Sequence, residues 1–244
     1  MLGYYGLIQS ILIVLLITIS AFCAQAQFRV AVKGGGNLSA IPMTLNGVEL
    51  EIYDPRPGFH GGLMGEYMFS HRFGLSTGLL YCNSGANIDP DKYLQGTDQP
   101  DGFSMEGYVS MHTLQLPLYA KIMFDLPGRL QYYFLAGGFA SYAFKADQHV
   151  KQTQDGESVK VKWSLFQPEI RVMGETEDNV FMQQRFNAGI ALETGVEIGR
   201  QATVGIGFRH VLNNMAAFGY LVNGQSVKPD IRMWTVSLSL GYYL

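Results

Sequence analysis

The sequence predicts an all-β fold: an eight-stranded antiparallel up-and-down transmembrane β-barrel with short periplasmic turns and long extracellular loops. Two observations carry that reading. Period-2 apolar runs are joined alternately by very short and by long polar segments. The short ones are Ser70-His71-Arg72, Leu126-Pro127-Gly128-Arg129 and Gly199-Arg200-Gln201; the long ones run over 39–57, 85–109, 146–184 and 213–228. Membrane barrels sort their connections by side in this way, and a soluble sandwich has no reason to do so. The apolar faces also end in aromatic residues at two depths. Phe28, Phe69, Phe73, Phe124, Tyr132 and Tyr242 fall at the short-turn end, and Phe59, Tyr81, Tyr142, Phe144, Phe186, Phe208 and Trp234 at the long-loop end. A bilayer selects two such belts because amphipathic rings sit best at headgroup depth.

The first element is a leader. Residues 1–28 carry no charged side chain, 11–22 is an almost unbroken apolar run, and Ala24-Gln25-Ala26 supplies the small-x-small pattern of a secretory signal. The competing reading is a retained helix, since 7–22 nearly reaches the roughly 20 residues of a span. Gln9 and Ser10 interrupt that run and no basic stop-transfer cluster follows it. The expectation is therefore a signal peptide over 1–26 and one barrel domain over 27–244. Cys23 would leave with the signal, and Cys82 alone could form no intramolecular disulfide.

Eight strands follow. The first, 28–38, sets Phe28, Val30 and Val32 against Arg29, Ala31 and Lys33, and the second, 59–69, sets Phe59, Leu63, Tyr67 and Phe69 against His60, Met64, Glu66 and Met68. The third, 73–81, has Phe73, Leu75, Leu79 and Tyr81 on one face; the fourth, 114–124, places Leu114, Leu116, Leu118, Ile122 and Phe124 opposite Gln115, Tyr119 and Lys121. In the fifth, 130–144, both faces are fairly apolar, and Tyr132, Phe134, Tyr142 and Phe144 are the outward choice. The sixth, 186–197, sets Phe186, Ile190 and Leu192 against Asn187, Glu193 and Glu197; the seventh, 203–209, sets Val204, Ile206 and Phe208 against Thr203 and Arg209. The last, 234–244, presents Trp234, Val236, Leu238, Leu240, Tyr242 and Leu244. Each is long enough for a tilted membrane strand of about 9–11 residues, and an even count returns both termini to the periplasm. Pro117 inside the fourth strand lacks an N–H where a closed barrel has no edge, so a bulge or an unpaired carbonyl is expected there.

Composition narrows the partners. Lys plus Arg number 17 and Asp plus Glu 20, a balance that argues against nucleic acid. Outer-membrane lipid and the barrel-insertion machinery are the expected partners, together with a secretion-system or surface protein as a candidate; no cofactor is expected.

The series Val32-Lys33-Gly34-Gly35-Gly36-Asn37-Leu38-Ser39, Pro57-Gly58-Phe59-His60-Gly61-Gly62-Leu63, Leu75-Ser76-Thr77-Gly78-Leu79-Leu80-Tyr81, Leu114-Gln115-Leu116-Pro117-Leu118-Tyr119-Ala120-Lys121 and Tyr133-Phe134-Leu135-Ala136-Gly137-Gly138 resembles the PorT-type outer membrane protein beta-barrel family of the Bacteroidetes. The resemblance spans essentially the whole mature chain. It implies the barrel and an outer-membrane location, and it makes Pro117 a shared feature of the fourth strand. The founding member assists a system that exports proteins across the outer membrane, while most members have no assigned role.

Strand parity puts Arg29, Lys33, Glu66, Lys121, Glu193, Glu197 and Arg209 on the lumen side. An eight-stranded barrel is just wide enough for its own side chains, so these charges are expected to pair as a plug; an ion path is the alternative. Catalysis finds little support, because none of His60, His71, His112, His149 and His210 begins a His-x-Ser step. Asp89, Asp91, Asp98 and Asp101 read as a solvated acidic loop, their spacing missing the EF-hand pattern. In the third long segment Val159, Val161, Trp163 and Leu165 alternate with polar residues, which predicts a hairpin extending strands five and six. Its Trp163 and Phe166 are read either as a partner-binding patch or as a lid over the barrel mouth. The function expected is that of a non-enzymatic structural or interaction protein; an accessory role in secretion or surface assembly, a narrow pore and a lipid-modifying enzyme follow in that order.

Overall fold

Alternating apolar and polar side chains favour extended backbone with one face in lipid and one in the lumen, and eight strands take up that pattern in the computed structural model. They are β1 (Gln27–Ala40), β2 (Tyr53–Met68), β3 (Phe73–Ile88), β4 (Ser104–Asp125), β5 (Leu130–Gln154), β6 (Phe186–Ile198), β7 (Ala202–Val211) and β8 (Trp234–Tyr243). The structure describes residues 27–244 except positions 46, 51, 94–102, 155–156, 168, 173–174, 179–182, 218–219 and 223–224. The expected signal peptide over 1–26, Asp98 and Asp101 lie outside the described residues.

Each strand pairs antiparallel with the next, and β8 pairs with β1 to close the ring. Stepping through paired residues from Arg29 by way of Glu66, Ser76, Tyr119, Gly137, Ala191, Arg209 and Thr235 returns to β1 at Ser39, ten residues further along. A stagger of that size in a ring of eight tilts the strands by roughly 35–45° and leaves a lumen that side chains fill.

Outside, Val32, Leu63, Leu79, Leu116, Leu118, Ile190, Ile206, Leu238 and Leu240 form an exposed aliphatic band. It is bounded by exposed Phe28, Phe73, Phe124 and Tyr242 at one end and by Phe59, Phe144, Phe186 and Phe208 at the other. Two of the three short turns use left-handed backbone: Gly128 has φ 82°, and Gly199 and Arg200 have φ 62° and 63°. Glycine adopts that region without steric cost.

Pro117 causes no bulge. The β3–β4 register is the same on both sides of it, Thr77 pairing Leu118 and Leu80 pairing Gln115. The Thr77 hydroxyl donates to the Pro117 carbonyl at 2.7 Å, which satisfies an acceptor at the interrupted part of the ladder.

The larger departure lies at the long-loop end. β4 and β5 run for 22 and 25 residues, well past the girdle, and β5 turns back into a strand at Glu157–Ser164 paired only with β5. The hairpin therefore extends strand five alone, and β6 starts afresh at Phe186. The inner face of this raised wall buries Ala86, Val109, Met111, Ala146 and Leu165 in one cluster with Ile41, Met43, Met215, Ala216 and Ile231 from the loops opposite. The mouth is thus capped by an apolar lid. Trp163 and Phe166 are half-buried and pack against that cluster, with the Arg185 guanidinium 4.0 Å over the Phe166 ring. Both therefore contribute apolar surface to the lid while each keeps part of its ring exposed.

The orientation is open to a direct test. An epitope tag inserted beside Glu157, which is exposed on the raised hairpin, should be labelled on intact cells, whereas one at Gly128 should be labelled only after the membrane is opened. The opposite pattern would invert the barrel.

Candidate functional site

Lumen chemistry follows from strand parity and stagger. The β1–β2 register sets Arg29 directly opposite Glu66, and the stagger of the ring brings Glu197 of β6 to the same depth from across the lumen. Arg29 Nη1 donates to Glu197 Oε1 at 2.6 Å, and Nη2 donates to Glu66 Oε2 at 2.9 Å and to Glu197 Oε2 at 3.1 Å. Lys121 Nζ lies 2.7 Å and 2.9 Å from the two Glu66 oxygens and 3.5 Å from Glu197 Oε2. It also donates to the Tyr243 hydroxyl at 3.0 Å, and Tyr243 lays its ring 4.0 Å from the Arg29 guanidinium carbon. The Glu197 and Lys121 side chains are 0% and 1% exposed. Two cations and two carboxylates therefore neutralise one another where an unpaired charge would cost several kcal/mol.

One layer higher, Lys33 Nζ contacts the Glu193 oxygens at 2.5 and 2.6 Å, and the Tyr133 hydroxyl donates to Glu193 at 3.0 Å. The Tyr133 hydroxyl fits because Gly205 faces it; a Cβ there would overlap the phenol oxygen. Higher still, Arg209 meets neutral partners. Its Nη1 donates to Gln115 Oε1 at 2.9 Å and its Nη2 to Asn37 Oδ1 at 3.2 Å. Buried His60 bridges Asn37 Oδ1 at 2.7 Å and Ser239 Oγ at 3.0 Å.

All seven charged residues placed in the lumen by parity face it. Six of them form the two ion-paired layers and Arg209 stands apart. Sequence reasoning missed Tyr133, Tyr243, Asn37 and His60 as partners in these layers. Parity was the available signal: Tyr133 and Tyr243 each follow an outward tyrosine, so in each Tyr-Tyr step the second ring points inward.

Outside the lumen the histidines are dispersed. His71 meets Asp125 at 3.0 Å on the short-turn side, and His112 contacts the Tyr81 hydroxyl at 2.6 Å. His149 stacks on Tyr108 with ring centroids 4.5 Å apart. Burial, reinforced by the Lys162 ammonium, lowers the His149 pKa from its ordinary value.

The family model described as "Outer membrane protein beta-barrel domain" matches residues 23–217. None of the curated proteins matches the chain. Among solved structures the chain is similar to OprG from Pseudomonas aeruginosa, with 13% identity over 90% of this chain and 97% of that one and a TM-score of 0.47. It is also similar to Ail of Yersinia pestis, solved in complex with the heparin analogue sucrose octasulfate (12% identity, 89% and 99% covered, TM-score 0.37). A third is the outer membrane enzyme PagL (11% identity, 84% and 98% covered, TM-score 0.36). At these identities the likeness concerns the fold alone.

Proposed function

The chain belongs to the outer membrane protein beta-barrel domain family and resides in the outer membrane, and from that premise we infer that it is a non-enzymatic wall protein with a closed lumen that acts through its extracellular face. The observation that carries this reading is the ion-paired lumen: Arg29, Glu66, Lys121 and Glu197 bond to one another across the barrel, and the Lys33–Glu193 pair closes the layer above. A pore needs mobile, hydrated charges, and these are mostly buried and bonded to one another. The second support is the raised wall of β3, β4 and β5, which lifts a folded polar surface above the girdle. In this reading the leader over 1–26 is a cleaved secretory signal, and the barrel-insertion machinery and outer-membrane lipid are the general partners. A second reading, an accessory role in secretion or surface assembly through a protein partner, is favoured by the motif resemblance of β1–β5 to the PorT-type barrels.

Purified protein in planar bilayers should give no reproducible open-channel current at neutral pH. Long-lived, ohmic openings would overturn the closed-lumen reading and promote the pore.

A further inference from the structure

We propose that the upper lumen is a binding site for one small monovalent anion of the halide class, held by Arg209 and Gln115 beneath the apolar lid.

The three lumen carboxylates Glu66, Glu193 and Glu197 are all engaged by Arg29, Lys33 and Lys121. Arg209 is left as a lumen cation with only neutral partners among the described residues: Gln115 and Asn37, with the Cys82 sulfur 3.3 Å from Nη1. Arg209 is half-buried, and a cation partly withdrawn from water is stabilised by a counter-charge. Beside it is a cavity of about 20 Å³, room for one water-sized occupant. Its polar lining includes Thr113, Gln115, Ser141, Asn187, Arg209 and Thr235, and among the described residues no Asp or Glu lines it.

The second observation is independent of the charge. Gln115 is 4% exposed, and its Nε2 has no hydrogen-bond partner among the described residues. Its amide cannot simply turn round, because Oε1 already accepts from Arg209 Nη1 at 2.9 Å and from Cys82 Sγ at 3.5 Å. A buried donor left open is costly. A bound water would satisfy Nε2 but bring no charge. A halide does both, accepting from several donors at once and neutralising the guanidinium. Oxyanions the size of phosphate or sulfate exceed the space.

The test uses the full barrel in detergent micelles, melted at constant ionic strength in chloride or in gluconate. Chloride should raise Tm in proportion to the logarithm of its concentration above half-saturation, as binding to the folded state alone requires. Crystals soaked in bromide should show an anomalous peak beside the Arg209 guanidinium. Arg209→Met should abolish the chloride dependence. Gln115→Met, which keeps the cation and removes the open donor, should weaken half-saturation by roughly tenfold. Melting that is indifferent to the anion, or a soaked crystal without the peak, would overturn the site. So would chloride dependence that survives in Arg209→Met. If Arg209→Met fails to fold, the bromide peak and the Gln115→Met titration decide alone. The outcome is separable from the closed-lumen reading, since a barrel can be non-conducting with or without the anion.

Discussion

Replacing Glu197 by Ala should lower the stability of the folded barrel by about 3–5 kcal/mol, the range for removing one partner of a buried ion pair. Glu197 is the most enclosed carboxylate of the lumen, its side chain 0% exposed, and it holds Arg29 at 2.6 Å and Lys121 at 3.5 Å. Without it, Glu66 is the single carboxylate bonded to both cations, and Lys121, whose side chain is 1% exposed, stays out of reach of water. The loss would appear as a fall in the urea midpoint, followed by Trp163 and Trp234 fluorescence, and in the temperature at which the compact form is lost on a gel. Glu66→Ala should act in the same direction, because Glu66 bonds the same two cations. A double change of Arg29 and Glu197 to Met should cost much less than Glu197→Ala alone, since apolar replacement of a buried pair is often neutral or stabilising. Unchanged midpoints in Glu197→Ala would mean that water, rather than these contacts, solvates the cations.

What the sequence made legible was whatever depends on parity. Phe28, Leu63, Leu118 and Ile206 face lipid because two-residue alternation cannot slip without moving every side chain to the wrong face. The same rule turned Arg29, Lys33, Glu66, Lys121, Glu193, Glu197 and Arg209 inward. Pairing across the lumen was less legible, because it depends on the stagger of the ring. Arg29 and Glu197 are 168 residues apart and meet through the accumulated register of successive hairpins, a quantity that no local pattern encodes. Depth counted from the short turns could link Glu66 with Lys121, but it does not identify Glu197 as the carboxylate they share space with. The raised wall was obscured for another reason. Its inner face is spelled by small or flexible residues such as Ala86, Met111 and Ala146, all at 0% exposure, which do not stand out as an apolar face among polar neighbours. Trp163 could be read either way because the residues it packs against lie in other strands and loops.

Deleting residues 242–244 should abolish the folded barrel altogether. The last strand closes the ring on two sides at once: Tyr242 pairs with Val32 of β1 and with Ala202 of β7. Tyr243 N donates to the Gln201 carbonyl at 2.7 Å and Leu244 N to the Val30 carbonyl at 2.8 Å. Without these residues the first and seventh strands present unpaired backbone groups to hydrocarbon, at several kcal/mol for each group. The same cut removes the Tyr243 hydroxyl bonded to Lys121 at 3.0 Å and the ring lying over Arg29, so wall and plug fail together. The two effects separate in Tyr243→Phe, which keeps the backbone and the ring and loses only the hydroxyl. That variant should still insert, with a stability loss of about 1–3 kcal/mol for a bond to a buried charged donor. In cells, the truncated chain should reach the periplasm and be degraded or aggregate there, read as absence of heat-modifiable protein from the outer-membrane fraction. Full-length levels of heat-modifiable material after the deletion would show that β1 and β7 close the ring without the end of β8.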